Sequence, residues 1–250
     1  MTVPHGALVP TRVWAVMPSY EDVPQRSFVE ELLSQVGGLT IVDDGSNPRV
    51  AGKLQQLAVD LGQDLVRHRK RRGKGAALRT GIAAALDRTP KPDAVVVIDA
   101  DGQHPPAALP AFVAAGSTAE LVIGDRFSDL AAMPWQRRVA NRVSRRLLEL
   151  ATGRSVRDTQ SGMRLLRGRA LDLPLAGDGY EAESRQLKAA LVAGLDVAWV
   201  PIPATYGEEQ SSFRPIRDSA RVLSALLRPV ERPKPLPVLP ARPVAADDSV

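Results

Sequence analysis

Short apolar runs that stop abruptly in acidic turns alternate with helical segments through the first hundred residues, and this alternation constrains the fold more than any other feature. Arg12 to Met17 is largely apolar and stops at Pro18-Ser19-Tyr20-Glu21-Asp22. Leu39 to Val42 stops at Asp43-Asp44-Gly45-Ser46, and Ala94 to Ile98 stops at Asp99-Ala100-Asp101-Gly102-Gln103. Apolar runs of strand length without alternation are the mark of strands covered on both faces. Between them, Gln25 to Val36 carries Phe28, Val29, Leu32, Leu33 and Val36 at helical spacing. Leu54 to Leu61 reads as a helix, Leu65 to Arg67 as a brief strand and Ala76 to Leu86 as an alanine-rich helix. Strand, helix and strand in repetition predict an α/β fold with a mostly parallel central sheet and helices on both faces.

Past Asp101 the pattern loosens. The spacing predicts a helix over Ala107 to Ala115, a strand over Glu120 to Ile123, an arginine-studded helix from Pro134 to Ala151, a helix over Glu183 to Ala193, a strand over Val197 to Ile202 and a last helix over Arg217 to Leu227. Pro229, Pro233, Pro235, Pro237, Pro240 and Pro243 set off 229–250 as a Pro-rich tail expected to be disordered. Residues 1–11 read as a leader, which leaves 12–228 as one domain.

Composition excludes several chemistries. Zero cysteines rule out a disulfide framework, a thiolate metal site and a cysteine nucleophile, and three scattered histidines leave little for zinc, so any metal must sit on oxygen ligands. Thirty-three Lys and Arg against 28 Asp and Glu give a net charge of +5, which favours anionic partners. No apolar run approaches the roughly 18 to 20 residues of a membrane-spanning helix. The first eleven residues lack the basic start and apolar middle of a signal peptide, so a cytoplasmic location is expected.

In an open α/β sheet, ligands bind outside the carboxyl ends of the strands, so the three acidic turns are expected to converge on one crevice. Asp99 and Asp101 flank a small residue directly after a strand, which lets two carboxylates approach one hard cation, Mg²⁺ or Mn²⁺, with Gln103 adding a neutral oxygen. Capping of the following segment is the competing role for the same pair. The run Arg67-His68-Arg69-Lys70-Arg71-Arg72-Gly73-Lys74 reads first as a solvated charged loop. Gly73-Lys74-Gly75 also opens a helix, whose free N–H groups favour an anion within reach of Lys74. With no aromatic residues among these charges, nucleic acid is not an expected partner.

Six segments occur in a fixed order: Pro18 to Asp22, Val42 to Ser46, Arg72 to Gly81, Asp99 to Pro106, Gly124-Asp125-Arg126-Phe127, and Asp158-Thr159-Gln160-Ser161-Gly162-Met163-Arg164. Together they resemble family-two glycosyltransferases, and most closely the polyprenyl-phosphate (dolichol-phosphate) mannosyl- and glucosyltransferases, over residues 12 to 215. The resemblance implies a GT-A fold and inverting transfer from a nucleotide-diphosphate sugar of GDP-mannose or UDP-glucose type to a polyprenyl phosphate at the cytoplasmic membrane face. It implies that Pro18, Tyr20, Asp22, Val42 and Asp44 hold the base and ribose, that Asp99, Ala100, Asp101 and Gln103 hold the metal and diphosphate, and that Arg126 faces the sugar or acceptor phosphate. Where the family's first motif carries Asn and Glu, this chain has Glu21 and Asp22.

The helix from Pro134 carries Val139, Val143, Leu147 and Leu150 on one stripe among Arg137, Arg138, Arg142, Arg145 and Arg146. Such a stripe either packs on the core or lies on an anionic bilayer, where the arginines meet lipid phosphates. The resemblance makes Arg137 or Arg138 an acceptor-phosphate ligand. Thr205 to Arg214 resembles a loop that closes over the substrates, with Arg214 as a further phosphate contact. No clear catalytic base follows from sequence; Glu181 and Glu183 are the best substitutes, though acidic residues at a helix start also serve the helix dipole. Peripheral membrane contact is the expected partner surface, with or without a membrane anchor subunit. A soluble enzyme glycosylating a hydroxyl, and a non-catalytic nucleotide-sugar-binding adaptor, are the alternatives.

Overall fold

The computed structural model describes residues 12–128, 135–173 and 175–203, with single positions at 224 and 230. The expected leader, the closing loop at 205–214, nearly all of the last helix and nearly all of the Pro-rich tail lie outside the described residues.

The strands are β1 (Val13–Ser19), β2 (Gly38–Asp43), β3 (Asp64–Arg67), β4 (Ala94–Val97), β5 (Leu121–Asp125), β6 (Arg164–Arg167) and β7 (Val197–Pro201). The helices are α1 (Arg26–Leu33), α2 (Pro48–Asp60), α3 (Lys74–Leu86), α4 (Leu109–Ala115), α5 (Trp135–Thr152) and α6 (Glu181–Val192). One 7-stranded sheet runs in the order β3-β2-β1-β4-β6-β5-β7. All neighbours are parallel except β6, which is antiparallel to both β4 and β5.

The sheet divides the apolar residues as the strand period requires. Val13, Ala15 and Met17 of β1, with Val96 of β4 and Val122 of β5, pack against Val29 and Leu32 of α1, Leu54 of α2 and Phe112 of α4. Val16, Val95, Val97, Leu121 and Ile123 face the other way, onto Leu78 and Ile82 of α3, Leu148 of α5 and Leu187 and Leu191 of α6. Helices therefore cover both faces, as the sequence pattern predicts.

One helix start and one strand depart most from the sequence reading. Helix α2 begins at Pro48, well before Leu54, because Asn47 Oδ1 accepts from the Arg49 and Val50 amides at 2.9 and 3.0 Å and Pro48 occupies the first turn. Strand β6 has no counterpart in the sequence reading. Its four residues Arg164-Leu165-Leu166-Arg167 are charged at both ends, and pairing on both sides makes them a strand.

Helix α3 rides directly on β1 and β2 at Gly81, where a β-carbon would lie 2.3 Å from Val16 Cγ1 and 2.9 Å from Val42 Cγ2. That close seating brings the start of α3 to the carboxyl ends of the parallel strands. There Asp44 N donates to Ser19 O at 2.8 Å and Ile98 N to Val16 O at 3.1 Å, which draws the three acidic turns to one edge of the sheet.

Candidate active site

The turn after β4 forms the floor of this edge. Asp99 is partly buried and Ala100 buried, while Asp101 is exposed at the rim and accepts from Gln103 N at 3.0 Å. Lys74, the first residue of α3, brings Nζ to 2.8 Å from Asp99 Oδ1 and 2.9 Å from Oδ2. The same ammonium lies 3.0 Å from Glu183 Oε1, in the first turn of α6. Burial works against a charged Lys74, yet the two carboxylates overcome it and raise the amine above its ordinary range. Burial likewise pushes Asp99 up, and Lys74, His104 and Arg126 together hold it below the usual carboxylate value. Asp101 is raised to about 6 by desolvation and by the neighbouring Asp99 charge. Burial raises Glu183 as well, an effect that Lys74 and Arg164 offset only in part.

Lys74 therefore meets carboxylates rather than standing free over an anion-binding helix start. The amides expected to receive that anion are also engaged: Gly73 N donates to Asp44 Oδ2 at 2.7 Å and Gly75 N to Asp178 O at 2.9 Å. The glycines are needed here, since a β-carbon on Gly73 (φ +98°) or Gly75 would strike the carbonyl of Asp178 or Gly177. Arg79 braces the same contact from below, with Nη1 donating to Leu175 O and Gly177 O, each at 2.6 Å.

On the nucleotide side, Pro18 is buried, Tyr20 and Asp22 are half-buried, and the Arg71 guanidinium lies over the Tyr20 ring, 4.2 Å from its centroid. Val42 is fully buried beneath α3, so its side chain belongs to the packing there. Asp44 is buried and internally satisfied: Oδ1 accepts from His68 Nδ1 at 2.7 Å and Arg72 N at 2.9 Å, and Oδ2 from Gly73 N. It fixes the basic loop, whose Arg69, Lys70, Arg71 and Arg72 are exposed, as a solvated run should be. Glu21 ties the first turn to the second. It adopts φ 55°, donates its amide to Ser46 Oγ at 2.9 Å, and accepts at its carboxylate from the Asn47 amide at 2.7 Å and from Asn47 Nδ2.

Arg126, just past β5, is clamped by Asp158, with Nε donating to Oδ2 at 2.7 Å and Nη2 to Oδ1 at 3.1 Å. Asp158 is fully buried, and Arg126 holds its carboxyl below the ordinary range against the upward push of burial. The two bonds fix the plane of the Arg126 guanidinium. Behind it, the buried Arg164 donates to Ser161 O at 2.9 Å, Thr159 O at 3.1 Å and Glu183 O at 2.6 Å, which stitches the Asp158–Ser161 loop to the start of α6.

Two residues of the site were not assigned a role by sequence reasoning. His104 is 3% exposed, its Nε2 lies 3.8 Å from Asp99 Oδ2, and its Nδ1 has no hydrogen-bond partner among the described residues. Burial lowers its pKa to about 4 despite Asp99 nearby. Its position directly after Asp-Ala-Asp-Gly-Gln was the available signal. Arg164 closes the sixth of the ordered segments, which was its only signal, since no periodicity announces the strand it opens.

Helix α5 does not pack its apolar stripe on the core. Asn141, Ser144 and Leu148 form the buried side of α5, whereas Val139, Val143 and Leu150 are 49%, 42% and 70% exposed. Three of the four stripe residues thus face outward while Leu147 is half-buried, with Arg142 and Arg146 exposed beside them. Arg138 is half-buried; the Arg137 side chain and Arg214 lie outside the described residues. Among the described residues, no helix is long and apolar enough to cross a membrane.

Comparison with known proteins assigns this geometry. The family described as Glycosyl transferase family 2 matches residues 16–173. The chain belongs to this family. The family 2 chain is 31% identical over 210 residues to an uncharacterized protein of Methanocaldococcus jannaschii, covering 80% of this chain and 84% of that protein. It is 26% identical over 211 residues to the dolichol-phosphate mannosyltransferase of Pyrococcus furiosus, covering 78% of this chain but only 56% of that one. It is 26% identical over 219 residues to the UDP-N-acetylglucosamine–dolichyl-phosphate N-acetylglucosaminyltransferase of Methanococcus voltae, covering 78% and 86%. Among solved structures, glucosyl-3-phosphoglycerate synthase of Mycobacterium tuberculosis, crystallised with Mn²⁺, UDP and phosphoglyceric acid, superposes with a TM-score of 0.64 at 23% identity, over 86% of this chain and 77% of that one. The fold of this family 2 glycosyltransferase is GT-A.

Proposed function

We propose that this chain is a metal-dependent, inverting glycosyltransferase that moves a hexose from a nucleotide-diphosphate sugar, of GDP-mannose or UDP-glucose type, to a polyprenyl phosphate at the cytoplasmic membrane face. The observation that carries this reading is the Asp99-Ala100-Asp101 turn at the carboxyl ends of the parallel strands, with Lys74 and the Asp158-clamped Arg126 acting on it. The named relatives that act on dolichyl phosphate support the acceptor class.

The residues fit a hard divalent cation. Two carboxylates and the Gln103 amide are oxygen donors suited to Mg²⁺ or Mn²⁺, and Asp101 is raised to about 6 by desolvation first and then by the charge of Asp99 beside it. Among the described residues no group of three or more His, Asp or Glu is arranged as a metal cage. Ions of this kind commonly bind through one or two carboxylates and substrate phosphates. Asp101, Gln103 and Asp99 would hold the ion, and when bound it supplies neutralisation of the departing diphosphate.

The remaining chemistry belongs to the chain. Arg126, fixed in plane by Asp158, presents a guanidinium suited to phosphate oxygens. A phosphate monoester has a second pKa near 6, so at neutral pH its oxygen is ionised and needs no protein base. That oxygen forms the bond to the anomeric carbon from the face opposite the diphosphate. The carbon–oxygen bond to the diphosphate breaks, and its electron pair leaves with the nucleotide. The ion pair of Glu183 with Lys74 removes one of the two candidate bases, which supports this acceptor over a hydroxyl. The outward apolar stripe of α5, with its exposed arginines, supports peripheral contact with an anionic bilayer.

The test is transfer of label from a panel of nucleotide sugars. Label entering the organic phase only when polyprenyl phosphate is present supports the reading. Equal turnover onto soluble hydroxyl acceptors without lipid overturns it.

A further inference from the structure

Lys74 is shared. Its side chain is 14% exposed, and its ammonium lies at 2.8 Å from Asp99 and 3.0 Å from Glu183, whose side chain is only 3% exposed. Glu183 cannot drift from this position easily. Its carbonyl accepts from the buried Arg164 at 2.6 Å, and the starts of α3 and α6 touch so closely that a β-carbon on Gly75 would lie 2.7 Å from Ala182 Cβ. The Tyr180 ring stands 5.5 Å from Nζ and closes another side.

This ammonium holds both oxygens of Asp99, so a cation that binds Asp99 must displace it. Two positive groups cannot share one carboxylate cheaply, and a buried ammonium stripped of its partner carries a large desolvation penalty. A second carboxylate within contact distance removes that penalty. We propose that Glu183 is a positioning residue that takes over Lys74 when Asp99 turns to the metal and diphosphate, so that metal binding hands the ammonium across rather than stranding it. This role rests on the metal-dependent reading above and adds a residue to it. Glu183 then acts through Lys74 without touching substrate, which explains why an acidic residue at a helix start is turned inward and buried.

The role is tested by Mn²⁺ binding, measured by the electron paramagnetic resonance of free Mn²⁺ in the presence of UDP or GDP. In Glu183→Gln the ammonium retains Asp99 as its partner and the metal must compete for it, so Mn²⁺ binds about tenfold more weakly than to wild type. Glu183→Asp keeps the charge but falls one methylene short of Lys74, and it too binds Mn²⁺ more weakly. The double variant Lys74→Met, Glu183→Gln removes the ammonium together with its counter-charge and binds Mn²⁺ within about threefold of wild type. It removes one positive and one negative charge together, so the net charge of the crevice is unchanged, and it decides the matter if the single variants unfold. Wild-type affinity in Glu183→Gln overturns the hand-over, as does wild-type affinity in Glu183→Asp, which would reduce Glu183 to a distant charge. A double variant that stays weak overturns it as well. Failure of wild type itself to bind Mn²⁺ with either nucleotide overturns the metal-dependent reading and the hand-over with it.

Discussion

Gly162 lies so close beneath Asp99 that a β-carbon at this position would come within 2.0 Å of Oδ2 and 2.6 Å of Cγ. The loop that aims Arg126 through Asp158 is therefore also the surface on which the Asp99 carboxylate rests. Gly162→Ala should leave the fold intact, because the clashing atoms belong to the end of a side chain that can rotate. The rotated carboxylate loses its place beside Lys74. The expected result is a kcat lower by about tenfold or more, ~1.4 kcal/mol in barrier, with a Tm within a few degrees of wild type. Steady-state kinetics and thermal unfolding check this; an unchanged kcat contradicts it.

Asp158 and Arg126 form a buried, two-bond ion pair, with side chains 0% and 16% exposed. Removing one partner from such a pair leaves an uncompensated charge and costs roughly 3 to 5 kcal/mol. Asp158→Asn should lower stability by an amount of that order in denaturant unfolding and abolish transfer as well. Asp101→Asn, at the exposed rim, should abolish transfer while shifting stability by less than about 0.5 kcal/mol. Equal stability losses in the two variants would remove the distinction between a residue that aims and one that binds.

His104 gives the metal-free protein an acid-sensitive component. Its pKa falls from 6.5 to about 4 on folding, with burial the leading cause, against Asp99 and Asp158, which raise it, and alongside Arg126 and Lys74, which lower it. The unfolded chain thus binds the proton more readily between these values. Stability attributable to the neutral ring is full above 6.5 and is lost as pH falls toward 4, by on the order of 3 kcal/mol. Urea unfolding of wild type and His104→Gln at pH 7 and pH 4.5 should give a difference between the two proteins that shifts against wild type at the lower pH. A difference independent of pH contradicts the neutral buried ring.

Val139 and Val143 are exposed on α5. Replacing both by Glu should therefore leave folding within about 0.5 kcal/mol per site. It should release the protein from anionic vesicles in co-sedimentation and lower transfer to a lipid acceptor, with nucleotide binding unchanged. Retained vesicle binding by the double variant removes α5 as the membrane face.

The layered fold was legible because its signals are local. Apolar runs such as Val95-Val96-Val97 and the helical spacing of Val29, Leu32 and Val36 carry their own periodicity, and the acidic turns sit at fixed offsets from them. Strand β6 was not, because Arg164 to Arg167 owes its state to partners far away in sequence. The same limit governs the site. Asp99 and Asp101 were visible as a spaced pair, and the ordered motifs brought Lys74 and Arg126 with them. Which charge meets which was not visible. That Asp44 is spent on His68 and the basic loop, that Lys74 lies between Asp99 and Glu183, and that Asp158 serves Arg126 all depend on distances across the crevice.

The most direct test is the anomalous scattering of Mn²⁺ in crystals soaked with UDP or GDP. The expected result is one peak at the end of β4, held by Asp99, Asp101 and Gln103 and by the nucleotide diphosphate, with the base along the first two acidic turns. A peak away from this turn, or a nucleotide bound elsewhere with Asp101 facing solvent, would contradict the assignment of the crevice as the donor site.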